Sequence, residues 1–416
     1  MRRWWRVQGN SLKTLELIKT YSVPINDARV RELITWYVEK LQKVIDIIWS
    51  NIEWRYRFPR ITKHGRVKIG KKIRIPELPK SNSFKKMLRD ELLKDCPYAK
   101  HWVDAVIRTA YSIMESWRKR YVKGRARRMK PAVRRRFARG KITLMRIDYE
   151  NKTIRITLKP GEYLEVSWAN KWFSRRVKGW SVAEVILKDD RILIPFRTTK
   201  VIKVERVIGW DSNEQTLDGF EPSIGFMHVD LRYLQSLKIV YEARKAVAQS
   251  IGRRDLFEKY ARRERNRERD FINKMVPQLM MIFPNTIHVF EDLDKYSLVR
   301  RGRVRDRLRR KRNARTPWRK IHRRFSEKTL TGFIPPENTS RECPRCGYIV
   351  KTREGRIFRC PRCNLEMDRQ KVASINIRSR YIRKHRMWGF PHTYDPEVSM
   401  KEEVWIGVNL NGQRPM

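Results

Sequence analysis

Cys343-Pro-Arg-Cys346-Gly-Tyr-Ile-Val-Lys-Thr-Arg-Glu-Gly-Arg-Ile-Phe-Arg-Cys360-Pro-Arg-Cys363-Asn364 holds four of the chain's five cysteines within twenty-one residues. The spacing is Cys-x2-Cys, thirteen residues, Cys-x2-Cys, and each pair is followed by a residue that tolerates a left-handed turn, Gly347 or Asn364. Two such hairpin knuckles present four thiolates tetrahedrally, and zinc is the default ion for four sulfurs, with an iron–sulfur cluster as the alternative. A four-thiolate site is closed, so Cys343, Cys346, Cys360 and Cys363 are expected to hold a structural Zn²⁺ that positions its neighbours and does no chemistry. The fifth cysteine, Cys96, reads as a small buried hydrophobe.

Five residues beyond the last cysteine, Asp368 opens a helical stripe of Ala373, Ile377 and Tyr381. Upstream, Val204 to Trp210 is an apolar strand that ends in Asp211, and Thr286-Ile-His-Val-Phe290 is a second that ends in Glu291. Carboxylates from two strand ends and a helix start can converge on one or two Mg²⁺ ions, as phosphodiester hydrolysis requires. A carboxylate at a strand end is more often a solvated cap. The combination with an α/β pattern and a basic chain is what favours Asp211, Glu291 and Asp368 as catalytic and Mg²⁺-binding residues.

Composition points the same way. The 416 residues carry 97 Lys plus Arg against 45 Asp plus Glu, a net charge of +52. A free protein of that charge repels itself, and a bound polyanion is the natural remedy. No apolar run approaches the ~20 residues of a membrane span, and no secretory leader is visible, so an intracellular chain without a membrane partner is expected. No P-loop, Ser-His-Asp set or dinucleotide loop appears, and the seven histidines show no ligand spacing.

Further out, residues 11 to 23 read as a strand, and Asn26 or Asp27 caps a helix whose stripe is Val30, Ile34, Tyr37, Leu41, Ile45, Ile48 and Ile52. Residues 55 to 82, with three prolines, read as loop, and Ser83 is a candidate cap for a second helical block that carries Trp102, Val106, Ala110, Ile113, Trp117 and Tyr121. Residues 141 to 206 break into short β runs that suggest a small antiparallel unit joined by the N-terminal strand. After it come a strand at Gly225 to Asp230 and one long helical stretch from about 240 to 282, in which the arginines and acids of 262 to 270 are expected to pair at the surface.

The run Asn338-Thr-Ser-Arg-Glu-Cys-Pro-Arg-Cys-Gly347, the second Cys-x2-Cys and the ending Asp368-Arg-Gln-Lys-Val-Ala-Ser-Ile-Asn-Ile377 resemble TnpB. These are OrfB-type proteins of bacterial and archaeal insertion sequences, relatives of the type V CRISPR nucleases. The resemblance is specific over about residues 204 to 380, with the Gly209-Trp-Asp211 and Glu291-Asp-Leu293 strands in the order that the family requires. It implies a multidomain α+β chain: an RNase H-like (RuvC) α/β nuclease interrupted by a zinc ribbon, plus an N-terminal wedge-like β unit with a helical recognition insert. The expected boundaries are 1–25 for the first wedge strand, 26–140 for the recognition insert and 141–203 for the wedge unit; 204–337 for the first nuclease part, 338–366 for the ribbon and 367–390 for the last nuclease helix; and 391–416 for a tail outside the catalytic fold.

The function so implied is RNA-guided DNA cleavage with Mg²⁺. A guide RNA from the transposon end would pair with target double-stranded DNA beside a short flanking motif. A cytoplasmic, nucleoid-associated prokaryotic protein follows from the same resemblance. By position, Asp211 and Glu291 match the first two acids. The family ending is Asp-Arg-Asp-x-Asn-Ala-Ala; here Asp368 matches the first Asp, while Gln370 stands at the second and Val372 in place of Asn. Either Asp368 serves as the third ligand, or the site lacks one and the chain is a guided binder without cleavage. A transposition accessory protein that binds element ends is the remaining reading. Arg300 to Arg324 holds fourteen Lys or Arg against one acid, Asp306. Arg300, Arg301, Arg303, Arg307, Arg309, Arg310, Lys311, Arg312, Arg315 and Arg319 are expected to track nucleic-acid backbones, with Trp318 and Phe325 available to stack.

Overall fold

The structure, a computed structural model, describes residues 12–56, 60–61, 67–68, 74–299, 306–351, 355–387, 389–390 and 402–410. Two compact units divide at Leu17/Ile18 and at Thr198/Thr199.

In the unit Ile18–Thr198, Asp27 caps the helix Ala28–Ser50 by accepting from the Arg29 amide at 2.9 Å. Its buried stripe packs beside Trp102, Val106 and Ala110 of the helix Lys100–Val122. The Tyr37 hydroxyl donates to the Ala105 carbonyl at 3.1 Å and so locks the pair. A meander of Met145–Asp148, Thr153–Lys159 and Glu162–Ser167 forms one sheet. Leu12–Pro24 lies beside Arg191–Lys203 in another, which continues to Ile186–Lys188 and Ala138–Arg139. Two local expectations are corrected. Residues 55 to 82 are not all loop, because Glu53–Tyr56 pairs with Arg74–Glu77 in a two-stranded ribbon, where Pro76 faces no third strand. The second helix is capped by Ser81, which accepts from the Phe84 amide at 3.1 Å, rather than by Ser83.

The other unit is built on six strands: β1 Arg206–Ser212, β2 Thr216–Glu221, β3 Gly225–Asp230, β4 Thr286–Glu291, β5 Thr331–Ile334 and β6 Glu403–Ile406, in the order β5-β4-β1-β2-β3-β6. β1, β2 and β3 form an antiparallel meander, whereas β4 pairs parallel with β1, β5 with β4, and β6 with β3. Besides a single turn at Lys295–Val299, its helices among the described residues are α1 Arg232–Ser250, α2 Arg254–Ile282, α3 Arg307–Arg315, α4 Trp318–Lys328 and α5 Arg369–Lys384. Alternation along β1 feeds both faces. Ile208 and Trp210 join Phe271, Met275 and Leu279 of α2 and Phe325 of α4. Val207 joins Ile377 and Tyr381 of α5.

Helix α5 lies against strand backbone. A Cβ on Gly209 would sit 2.3 Å from the Ser374 carbonyl oxygen and 2.6 Å from the Arg378 nitrogen, and one on Gly332 would sit 2.2 Å from the Tyr381 ring. Only glycine allows that approach. The buried Arg378 donates through Nε to the Val207 carbonyl at 2.9 Å, and burial brings its guanidinium down to about 10.

The long helical stretch is two helices, broken where Gly252 takes φ +69°. Of the acids of 262 to 270, Asp270 pairs at the surface with Lys274 at 2.9 Å, but the other two turn inward instead of meeting neighbouring arginines. Glu264 and Glu268 are buried against Lys238 and Lys245 of α1, and Glu268 against Lys320 of α4. The segment after Pro391 is not outside this fold. β6 extends the sheet, and Val408 and Leu410 pack on the core beneath α2. Among the described residues no helix is long and apolar enough to cross a membrane.

Candidate active site and zinc ribbon

The ribbon's two knuckles repeat one backbone pattern. Gly347 donates to the Cys343 carbonyl and Asn364 to the Cys360 carbonyl, both at 2.9 Å, and both residues take the left-handed turn, at φ +72° and +54°. The Cys343–Cys363 and Cys346–Cys360 sulfurs are 3.5 Å apart, and all four lie within 4.8 Å of one another. A tetrahedral Zn²⁺ with bonds of about 2.3 Å sets its sulfurs about 3.8 Å apart, so the cluster fits zinc. Burial pushes the Cys343 thiol up. Burial also opposes ionisation of Cys360, yet the Arg362 and Cys363 amides bring it down to about 7. Strands Ile357–Arg359 and Glu366–Asp368 close the ribbon, which shares a core with Phe220, Phe226, and Val372 and Ile375 of α5. Asn376 donates to the carbonyls of Thr339 and Glu342, both at 2.7 Å, and ties α5 to the ribbon's entry.

Asp211 and Glu291 close adjacent parallel strands, one step beyond the Trp210–Phe290 pair. Both line a cleft of about 830 Å³. Glu291 is buried and accepts from the Thr339 hydroxyl. Asp211 accepts from Asn213 Nδ2 at 3.0 Å. Burial first, then the nearby charges of Glu291 and Asp218, push its carboxyl well above the usual range. Asp218 faces Asp211 directly across the β1–β2 ladder and is buried. It accepts from Asn213 at 2.5 Å, from Thr216 at 2.7 Å and from His228 Nδ1 at 2.6 Å. The far nitrogen of His228 lies 3.3 Å from Glu403 of β6, and Glu403 also pairs with Lys371 of α5.

Asp368 caps α5. Its Oδ1 accepts from the Gln370 amide at 2.7 Å, and its Oδ2 pairs with Arg356 at 2.6 Å. Gln370, not Asp368, lines the cleft with Asp211 and Glu291. Among the described residues, the four cysteines are the one group of three or more His, Cys, Asp or Glu that gathers in this way.

Two family models match: the Uncharacterized protein MJ0013 family over residues 33–157, and the Cas12f1-like, TNB domain over residues 319–377. The TnpB-like protein MJ1635 of Methanocaldococcus jannaschii is 35% identical over 349 residues, covering 82% of this chain and 79% of that protein. This chain belongs to the TnpB-like family. From the same organism, Uncharacterized protein MJ0013 is 42% identical over 36% of the TnpB-like chain and 94% of its own length. A solved Cas12f1-sgRNA-target DNA complex covers 87% of the chain and 99% of its own at 13% identity, with a TM-score of 0.32, too loose a superposition to carry weight.

In this TnpB-like chain the basic run is partly a capped helix. Asp306 accepts from the Leu308 amide at 2.8 Å to start α3, which buries no residue. Arg309 and Arg312 line the cleft, whereas Lys311 and Arg315 pair with Glu242 of α1. Arg307 and Arg319 are exposed, and Arg310 is half-buried. Arg300, Arg301 and Arg303 lie outside the described residues. Trp318 is largely buried and donates to the Asn213 carbonyl at 3.0 Å but lines the cleft with Arg309 and Arg312, whereas Phe325 is fully buried and presents no free face for stacking. His288 and His322 serve packing. His288 accepts from Trp210 Nε1 at 3.0 Å, His322 bonds Ser212 at 2.9 Å, and burial lowers both to about 3. Sequence reasoning missed Asp218, Asn213, His228 and Glu403. Asp218 was hidden because Thr216-Leu-Asp-Gly-Phe-Glu221 mixes acids and glycine and lacks a clean strand period.

Proposed function

We propose that this chain is an RNA-guided, Mg²⁺-dependent DNA endonuclease of an insertion sequence. The observation that carries the reading is the pairing of Asp211 and Glu291 at the ends of adjacent parallel strands in one cleft, in a TnpB-like chain. The β1-β2-β3 meander with β4 and β5 added in parallel would be the sheet of an RNase H-like (RuvC) nuclease, and the unit Ile18–Thr198 would supply the wedge-like sheets and the recognition helices. Asp211 and Glu291 would hold Mg²⁺; burial first, then the charges of Glu291 and Asp218, keep the Asp211 carboxyl above its usual range, and a bound cation would act in the opposite sense. When bound, that ion supplies Lewis-acid activation of water and neutralises charge at the leaving oxygen. Asn213 orients Asp211, Thr339 orients Glu291, and Arg309 and Arg312 draw the phosphate backbone to the cleft. The guide RNA supplies sequence by pairing with target DNA beside a short flanking motif, while the protein's charge holds both backbones. The four cysteines hold structural Zn²⁺. The test is purified protein with its copurifying RNA, offered matched double-stranded DNA and Mg²⁺. Asp211→Ala and Glu291→Ala should each abolish cutting and leave binding intact. Undiminished cutting by both overturns the assignment.

A second reading, a guided binder without cleavage, is favoured by Gln370 in the cleft position nearest the expected third acid and by the engagement of both Asp368 oxygens elsewhere. Tight guided binding with no cutting in Mg²⁺ or Mn²⁺ would select it. Failure to recover any discrete RNA would instead select an accessory protein that binds element-end DNA.

A further inference from the structure

The segment Trp168-Ala-Asn-Lys-Trp-Phe-Ser-Arg-Arg-Val-Lys-Gly-Trp180 contains three tryptophans, four cations and no acid. It is a succession of tight turns, with Ser174 donating to the Lys171 carbonyl at 2.8 Å, Arg176 to Phe173 at 2.9 Å and Trp180 to Val177 at 3.0 Å. Trp172 stands 70% exposed, the highest value for a large hydrophobic side chain among the described residues. It is nonetheless braced. Its ring meets Tyr21 edge-on at 5.4 Å, and Tyr21 stacks on the buried Phe173 at 4.3 Å. The Arg176 guanidinium lies 5.0 Å from the Trp172 ring. Arg175, Arg176 and Lys178 are exposed and have no ion pair among the described residues. Beside them is a cavity of about 390 Å³, lined in part by Trp180, Lys178, Lys152 and Ser174. The Ser174 hydroxyl is buried there without a hydrogen-bond partner.

A large aromatic face held rigid in solvent, with unneutralised cations around it, is what an unstacked base and its phosphates recognise. We propose that Trp168–Trp180 is a docking site for unpaired nucleotides of a single strand. One base stacks on Trp172, the flanking phosphates meet Arg175, Arg176 and Lys178, and the next base turns its polar edge to the Ser174 hydroxyl. The site lies wholly within the unit Ile18–Thr198, whereas the acidic cleft belongs to the other unit, and it stands or falls independently of cleavage.

The experiment uses the full chain in EDTA, so that cutting cannot intervene. Fluorescence anisotropy measures affinity for a labelled ten-nucleotide single strand, for an abasic strand of the same length and charge, and for the blunt duplex. RNA and DNA versions of each probe distinguish the source of the nucleotide. Trp172→Ala should weaken the base-bearing strand about 5- to 150-fold, as loss of one stacked base does, and shrink the preference for it over the abasic strand by the same factor. Binding of the duplex should not change. Trp172→Phe should restore most of the loss, and Ser174→Ala should weaken the same strand about 2- to 10-fold. An unchanged preference for the base-bearing strand in Trp172→Ala, or an equal loss on the duplex, overturns the proposal. Unchanged affinity in Ser174→Ala removes the cavity from it.

Discussion

Asp211 and Asp218 face each other across the β1–β2 ladder, and the amide of Asn213 bridges them, 3.0 Å from Asp211 and 2.5 Å from Asp218. Asp218 does not line the cleft, yet its charge helps to raise the Asp211 carboxyl. Under the nuclease reading, Asp218→Ala frees Asn213 and should slow cleavage about 10- to 100-fold, the usual cost of losing a group that orients a metal ligand. Asp218→Asn, which keeps the shape and removes the charge, should move the acid limb of the cleavage profile to lower pH. Single-turnover rates across pH measure both. An unmoved acid limb would mean that the two carboxylates are not coupled.

Histidine burial contributes to the acid sensitivity. His288 and His322 stay neutral in the fold down to about 3 but take up a proton near 6.5 when unfolded. The unfolded state therefore binds more protons across that window, and stability falls as pH drops below about 6.5. His228 acts in the opposite sense. Its raised value, due first to Asp218, gives stability that is present below about 6.5 and lost as pH rises through its folded value. His385, also lowered by burial, adds to the first effect, so among these histidines three against one favour destabilisation on acidification. His288→Gln, which keeps an acceptor for Trp210, should flatten the loss between pH 6.5 and 5 in urea titrations.

Zinc removal should loosen α5. The ribbon and α5 share the core of Phe220, Phe358, Val372 and Ile375, so Cys343→Ser or a strong chelator should lower the melting temperature and remove one zinc per chain by elemental analysis. A melting temperature indifferent to chelation would show that the ribbon carries no structural ion.

Gly209→Ala drives a methyl into the Ser374 carbonyl and the Arg378 backbone. The clash is with main chain, so no side chain can swing aside, and a cost of about 1–3 kcal/mol or more is expected in denaturant unfolding. Gly161→Ala, where open space surrounds the added methyl and only the left-handed backbone is strained, is the comparison.

Asp368→Ala should cost about 1 kcal/mol as a lost helix cap and leave any cleavage near wild type. Gln370→Asp places a third carboxylate in the cleft and should raise metal-dependent cleavage. Abolition of cutting by Asp368→Ala, with melting little changed, would return Asp368 to the ligand set.

The ribbon was legible because four cysteines at fixed spacing leave little else to do. Asp211 and Glu291 were legible because each ends an apolar run. What escaped notice depends on pairing at a distance. β2 carries Asp218 and Gly219 inward, since Trp210 folds over Gly219, and so breaks the strand pattern that would have revealed it. β6 is four residues whose partner is β3, far away in the chain, and nothing local marks Val404 and Trp405 as sheet. Phe325 looked available beside so many cations, but α4 turns it inward.

The bond from Arg378 to Val207 spans 171 residues of chain. Contacts of that range form only after large loops have closed, and loop closure slows folding. In kinetic terms, the helix that places Gln370 is expected to seat late, against a strand that lies far earlier in the chain. Until then the backbone beside Gly209 and Gly332 stays uncovered. A ribbon cinched by Zn²⁺, as proposed above, would shorten the chain left to search, and metal supply would then bear on folding speed as well as on final stability.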